Sequence, residues 1–349
     1  MRYSLLSRFQ GGLLGAALGA SLGFEQPTQK SLQKKPDRIK PVIPITQVES
    51  QKPGSDWEQS PPERQGGSTT GYGKVAVRWA EVLIDQQEWT ALEFGQSVGQ
   101  MTAPAFRSDS GLSYPGSIAE AELAIATLPI ALFFHDDEIR LRQMLEKAVC
   151  LQAQDVFAGG ALAIGFAIAQ ALQERLLPLD LIPRTIDFLQ QPVTHQPSHP
   201  YSTLIKKLEQ GQTLLREETN LSMATRILLP SGNAELGSGA VALAFFCFLS
   251  TPEDMRLSLL RAARSSSSLR IVRALTGALA GAYNSTAGIP LEWSLVAADP
   301  TQRLDWQISG PDLCHLASRL LAAWSGASNP TAFANSSFAI AAPGLIRPR

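Results

Sequence analysis

Two stretches of this 349-residue chain, FAGGALAIGFAIAQAL (157–172) and GAVALAFFCFLS (239–250), are apolar on nearly every side of a helical wheel. A helix without a polar face has to be surrounded, by other helices or by lipid. Both are too short to cross a bilayer, as is the apolar run from Leu123 to Phe134, so the surroundings are expected to be protein. No segment shows sustained strict alternation bounded by hairpin turns. These patterns predict an all-α fold, a single large multi-helix orthogonal bundle. With 44% hydrophobic and 17% charged residues, the chain has ample material for a big core.

Helix punctuation supports this. TPEDMRLSLLRAAR reads as a helix with Thr251 as N-cap, Pro252 in the first turn and Asp254 completing a capping box. In HDDEIRLRQMLEKAVCL the acids gather at the positive end of the helix dipole. Its apolar residues Ile139, Leu141, Met144, Leu145 and Val149 recur near a 3.6 period and predict one buried face. Gly11, Gly15, Gly19 and Gly23 fall every fourth position, a stripe that lets another helix approach closely.

The bundle is expected to span 1–324, with a surface tail at 325–349. It is interrupted by a long Pro-, Lys- and Ser-rich loop at 27–67. Lys30, Lys34, Lys35, Arg38 and Lys40 in that loop read as a solvated charge run. His195 and His199 have metal-like spacing, but the prolines around them forbid a regular helix, so they read as a linker. A formal net charge of -1 speaks against nucleic acid and membrane surfaces as partners. Cys150, Cys247 and Cys314, scattered and odd in number, read as buried thiols of a reducing compartment. The N-terminal apolar run is too rich in glycine for a signal peptide, so a cytoplasmic location is expected. His135 with Asp136 and Asp137 reads as helix capping, and His315 as a core or boundary histidine. No G-x-S-x-G elbow, P-loop or dinucleotide fingerprint is present.

Four segments together resemble the ADP-ribosylglycohydrolase family, all-α hydrolases that remove ADP-ribose at a two-magnesium site. RFQGGLLGAALGASLGFE resembles the opening helix with its motif G-x-A-x-G-D-x-L-G. TTGYGKVAVRWAEVLID resembles the helix that begins T-D-D-T. ATLPIALFFHDDEIRLRQMLEKA resembles the stretch after G-N-G-A-x-M-R. The run from Ala242 to Trp293 resembles the closing region with G-G-D-T-D-T and G-A-L-A-G-A.

The framework matches, but the chemistry does not. The five aspartates that the resemblance implies fall on Ala20, Gly71, Tyr72, Ser268 and Arg270. Thr70 survives, while the second threonine of its motif falls on Gly73. The sugar-contacting motif falls on Glu120 to Ala126, and a threonine-histidine pair on Leu151 and Gln152. Glu25 stands two positions short of the usual glutamate, which falls on Pro27. Magnesium requires oxygen ligands, and a pair of such ions needs several carboxylates. A guanidinium ~4 Å from such an ion repels it by roughly 4 kcal/mol per unit charge at an effective dielectric near 20. The sequence therefore predicts no magnesium pair and no other cofactor.

Three functions remain open on this reading. The first is a ligand- or protein-binding pseudoenzyme, with Thr70, Gly71, Tyr72, Ser266, Ser267, Ser268, Arg270 and Glu25 as a vestigial pocket. Serines at a helix start beside an arginine could take a phosphate- or nucleotide-like ligand, or simply cap the helix. The second is a divergent hydrolase using Glu25, Glu120 or Glu122. Glu120 and Glu122 point to different sides of a helix and make a poor acid-base pair. The third is a structural protein with the pocket filled by Tyr72, Arg270 and their neighbours.

Overall fold

The computed structural model describes residues 3–22, 71–85, 119–152, 158–191, 201–229, 235–265 and 270–326. The 27–67 loop, His195, His199 and the tail beyond Gly326 lie outside them. The described residues form fourteen α-helices and no strand. In order these are α1 (Leu5–Ser21), α2 (Gly71–Asp85), α3 (Ala119–Ala126), α4 (Leu128–Phe133), α5 (Glu138–Gln152), α6 (Gly159–Leu172) and α7 (Leu181–Gln190). Then follow α8 (Ser202–Arg216), α9 (Leu221–Leu228), α10 (Leu236–Leu249), α11 (Met255–Ser265), α12 (Arg270–Asn284), α13 (Leu291–Ala298) and α14 (Gly310–Trp324).

α6 is buried along its whole length and α10 over nearly all of it. α3, α4, α5, α7, α10 and α12 wrap α6, and α3, α8, α9, α11 and α12 wrap α10. The all-α expectation holds, and the two helices without a polar face lie in the middle.

α1 and α12 run antiparallel with their backbones almost touching. A Cβ placed on Gly15 would lie 2.3 Å from Gly277 O, and one on Gly277 2.1 Å from Gly15 O. Gly11 and Gly281 oppose each other in the same way, at 2.3 and 2.0 Å, and Gly19 faces Arg273 O at 2.2 Å. The glycine stripe of α1 thus meets the glycines of the GALAGA segment, a spacing that only a missing side chain permits. Gly23 lies outside the described residues.

Several local expectations need correction. The helix after Thr251 starts later: Asp254 is its cap, its Oδ1 accepting from Leu257 N at 2.9 Å. Thr251 instead closes a turn, its carbonyl accepting from Asp254 N and from Ser258 Oγ. Both residues are good caps, and the one nearer the periodic run prevails. The apolar run from Leu123 to Phe134 is two helices, because Pro129 has no N–H to offer and would clash one turn back. Ile139 is 72% exposed, because it stands two residues before Leu141 and so points to the opposite side of the helix, whereas Leu141, Met144, Leu145 and Val149 are buried as expected. Of the cysteines only Cys247 is buried, and burial pushes its thiol up to about 12. Cys150 is exposed and Cys314 half-buried, because α5 and α14 each keep a wet face. His315 is exposed on that face of α14.

The HDDE turn behaves as read. Asp137 Oδ1 accepts from Ile139 N and Arg140 N, capping α5. His135 Nδ1–H donates to Leu132 O at 2.7 Å, and its ring packs on Phe9 and Trp324. Asp136 accepts from Trp324 Nε1. These residues knit α1, α4 and α14 together.

Candidate functional site

The described positions among those that the resemblance marks as metal ligands lie where α1 ends and where α2 and α12 begin. Ala20, in the last turn of α1, is 2% exposed. Gly71 and Tyr72 open α2, with the Tyr72 ring also 2% exposed, and Arg270 is the first residue of α12. Thr70, Glu25, Ser266, Ser267 and Ser268 lie outside the described residues.

Arg270 Nη1 donates to Asp305 Oδ1 at 3.0 Å in a salt bridge that leaves the carboxylate side chain only 6% exposed. One turn on, Arg273 is buried and its Nε donates to Gly19 O at 3.2 Å. This carbonyl belongs to the last turn of α1, where helical carbonyls lack intrahelical donors and the dipole is negative, so a guanidinium suits it. Burial holds the Arg273 pKa below its usual value, and neighbouring Arg270 adds to that, while Tyr72 and Asp305 oppose it.

Asp305 and Trp306 come from a tight turn between α13 and α14. Leu304 N–H donates to Ile308 O and Gln307 N–H to Leu304 O, with Gln307 at φ 63°. Asp305 N–H donates to Ser21 Oγ at 2.8 Å, tying the turn to the end of α1. The Trp306 indole is buried against the first turn of α2: a Cβ on Gly73 would sit 2.3 Å from its Cδ1. The glycine standing where the family motif has its second threonine therefore makes room for an indole ring.

Asp305, Trp306 and Arg273 were not singled out from the sequence. Arg273 is three residues after Arg270 on one helix face, a spacing that could have flagged it. Asp305 lies 35 positions from its partner and carries no local signal.

Among the described residues, those at the positions that the resemblance marks do not fit a magnesium pair. Ala20, Gly71 and Tyr72 offer no carboxylate, and Asp305 is already neutralised by Arg270. Among the described residues, no three His, Cys, Asp or Glu side chains gather as a metal-binding group.

The glutamates of the sugar-contacting stretch do other work. Glu120 Oε1 accepts from Gly160 N at 3.0 Å, at the start of α6, and its Oε2 accepts from Ser238 Oγ at 2.5 Å, at the start of α10. Burial pushes its pKa up, more than these two hydrogen bonds bring it down. Glu122 points elsewhere and is pushed up by burial alone. The raised Glu120 pKa means that the folded state holds its proton more tightly than the unfolded chain, whose glutamate titrates near ~4.3. The stability it lends is full below that pH and fades as pH rises through the folded value. Glu120→Gln keeps an acceptor for Gly160 and loses the charge, so its melting temperature should gain on wild type between pH 4.5 and 8. Glu120→Ala strands Gly160 N–H and Ser238, and should melt lower at every pH.

The sequence pattern of the ADP-ribosylglycohydrolase family matches residues 1–330. A solved structure described as an ADP-ribosylglycohydrolase-related protein complex is similar at 17% identity, covering 90% of this chain and 96% of that one, with a TM-score of 0.48. No curated protein matches the chain. The family pattern spans all fourteen helices, the glycine-packed α1–α12 pair included, and the chain belongs to the ADP-ribosylglycohydrolase family.

Proposed function

We propose that this family member does not hydrolyse ADP-ribose with a magnesium pair and works instead as a binding protein, a pseudoenzyme. The observation that carries the reading is the Arg270–Asp305 salt bridge at 3.0 Å, which puts a fixed cation where the family resemblance implies a metal ligand. A guanidinium supplies positive charge without a metal. Arg270 keeps 38% of its side chain exposed, enough to meet a phosphate- or nucleotide-like ligand or an acidic group on a protein partner.

A second reading, a purely structural protein with a filled pocket, is favoured by Trp306 seated on Gly73 and by the buried Tyr72. The divergent-hydrolase reading loses support from Glu120, whose two oxygens are engaged in holding α6 and α10. A cytoplasmic location is proposed as well; no helix among the described residues is long and apolar enough to cross a membrane.

Calorimetry with magnesium and ADP-ribose, together and apart, tests the proposal. Magnesium should give no heat, and an ADP-ribosylated substrate should stay intact in its presence. Heat from phosphate or ADP-ribose that disappears in Arg270→Gln supports the binding protein, and no heat from any of them supports the filled pocket. Magnesium-dependent release of ADP-ribose overturns both.

A further inference from the structure

A cleft of about 430 Å³ opens among the α6–α7 loop, α7, α8, α10 and α11. None of its lining residues belongs to α1, α2, α12 or the turn carrying Asp305, so it is separate from the site above. The volume falls within the range that small-molecule pockets occupy. Its apolar side is made by Ile182, Leu214, Phe246 and Leu249. Leu179, also on the lining, is 92% exposed, a large apolar side chain left in water at the mouth.

Two arginines line the same cleft, Arg216 and Arg261. Four other arginines of the fold hold a side-chain oxygen: Arg8 holds Glu174, Arg142 holds Glu146, Arg184 holds Gln170 and Arg270 holds Asp305, whereas Arg216 stands exposed at the mouth of the cleft and Arg261 half-buried in its wall. Arg216 and Arg261 have no hydrogen-bond or ion-pair partner among the described residues.

Helix capping does not account for them. At the end of α8 the carbonyls of Thr213, Leu214 and Leu215 already accept from the backbone N–H groups of Glu217, Thr219 and Glu218. Glu218 adopts φ 50° to make this possible, a backbone conformation that side chains other than glycine's rarely take. At the end of α10 the carbonyls of Phe246 and Phe248 are taken by Ser250 and Thr251. Glu218 also lines the rim, and with it the charge on the lining is still one positive unit in excess.

We propose that this cleft binds a small amphipathic anion. The apolar body lies on Phe246, Leu249, Leu214 and Ile182, and Arg216 and Arg261 hold a carboxylate or phosphate head. A guanidinium fork suits either head.

Calorimetry on the full chain with decanoate, decyl phosphate and decyltrimethylammonium, each below its micelle concentration, tests this. At least one anion should bind, about tenfold or more tighter than the cation, since a charge-assisted hydrogen bond is worth that factor. Which anion binds better tells a carboxylate ligand from a phosphate one. Arg216→Gln and Arg261→Gln should each weaken anion binding by about tenfold and leave the free protein's melting temperature unchanged. Leu179→Ser, at a site too exposed to affect folding, should weaken both anions. Equal binding of anion and cation, unchanged affinity in the arginine variants, or no binding by any of the three probes overturns the proposal.

Discussion

Gly277→Ala should lower the unfolding free energy by about 3 kcal/mol or more, the upper end of what overpacking does. The new methyl would stand 2.1 Å from the backbone oxygen of Gly15, and no rotamer can move a backbone oxygen aside. The two helices would have to separate, and α1 also packs on α14, α6 and α4, so the shift spreads. The control is Gly12→Ala on α1, the partner helix. A Cβ there meets nothing closer than 3.7 Å, ordinary van der Waals contact. Helix propensity then favours alanine by up to about 1 kcal/mol, so this variant should match or exceed wild type. Denaturant unfolding of both proteins checks the contrast. Similar losses in the two would mean that the helices do not touch along the glycines.

Asp305→Ala carries the second large effect. The carboxylate is nearly buried and offsets two guanidiniums, one of them the buried Arg273. Removing it leaves that arginine in a low-dielectric site with a like charge beside it and no counter-ion, which should destabilise by about 3 kcal/mol. A charge-free pair, Arg270→Met with Asp305→Leu, should recover at least half of the loss, because it also removes the repulsion on Arg273. Urea midpoints of the single and double variants decide the matter. If the double variant is no better than Asp305→Ala, the loss comes from the shape of the turn and electrostatics is not its cause.

Period and composition made the framework readable from the chain. α6 and α10 had to be central because no side of either could face water, and the four-residue glycine spacing announced a close helix contact before its partner was known. Short-range rules failed where two signals competed. Thr251 and Asp254 could each cap α11, and the apolar run through Pro129 hid a break. The apolar run groups Ile139 with the buried face, but two residues before Leu141 it falls on the far side of a 3.6-residue helix and stays in water. Of the candidate site, the substituted motif positions could be read one by one. The side chains that meet them could not, because Asp305 and Trp306 reach α12 and α2 through tertiary packing alone. The same holds for the cleft, whose arginines sit on α8 and α11 and whose apolar wall belongs to α7 and α10.

The backbone-to-backbone seam between the first helix and the twelfth also dictates when this protein can finish folding. Arg273 and its acceptor Gly19 stand 254 positions apart, so the opening helix leaves the ribosome long before its mate exists. At 5–20 residues per second that wait is about ten to fifty seconds, during which a nearly uncharged, glycine-striped segment has only chaperones or the helices made in between to shelter it.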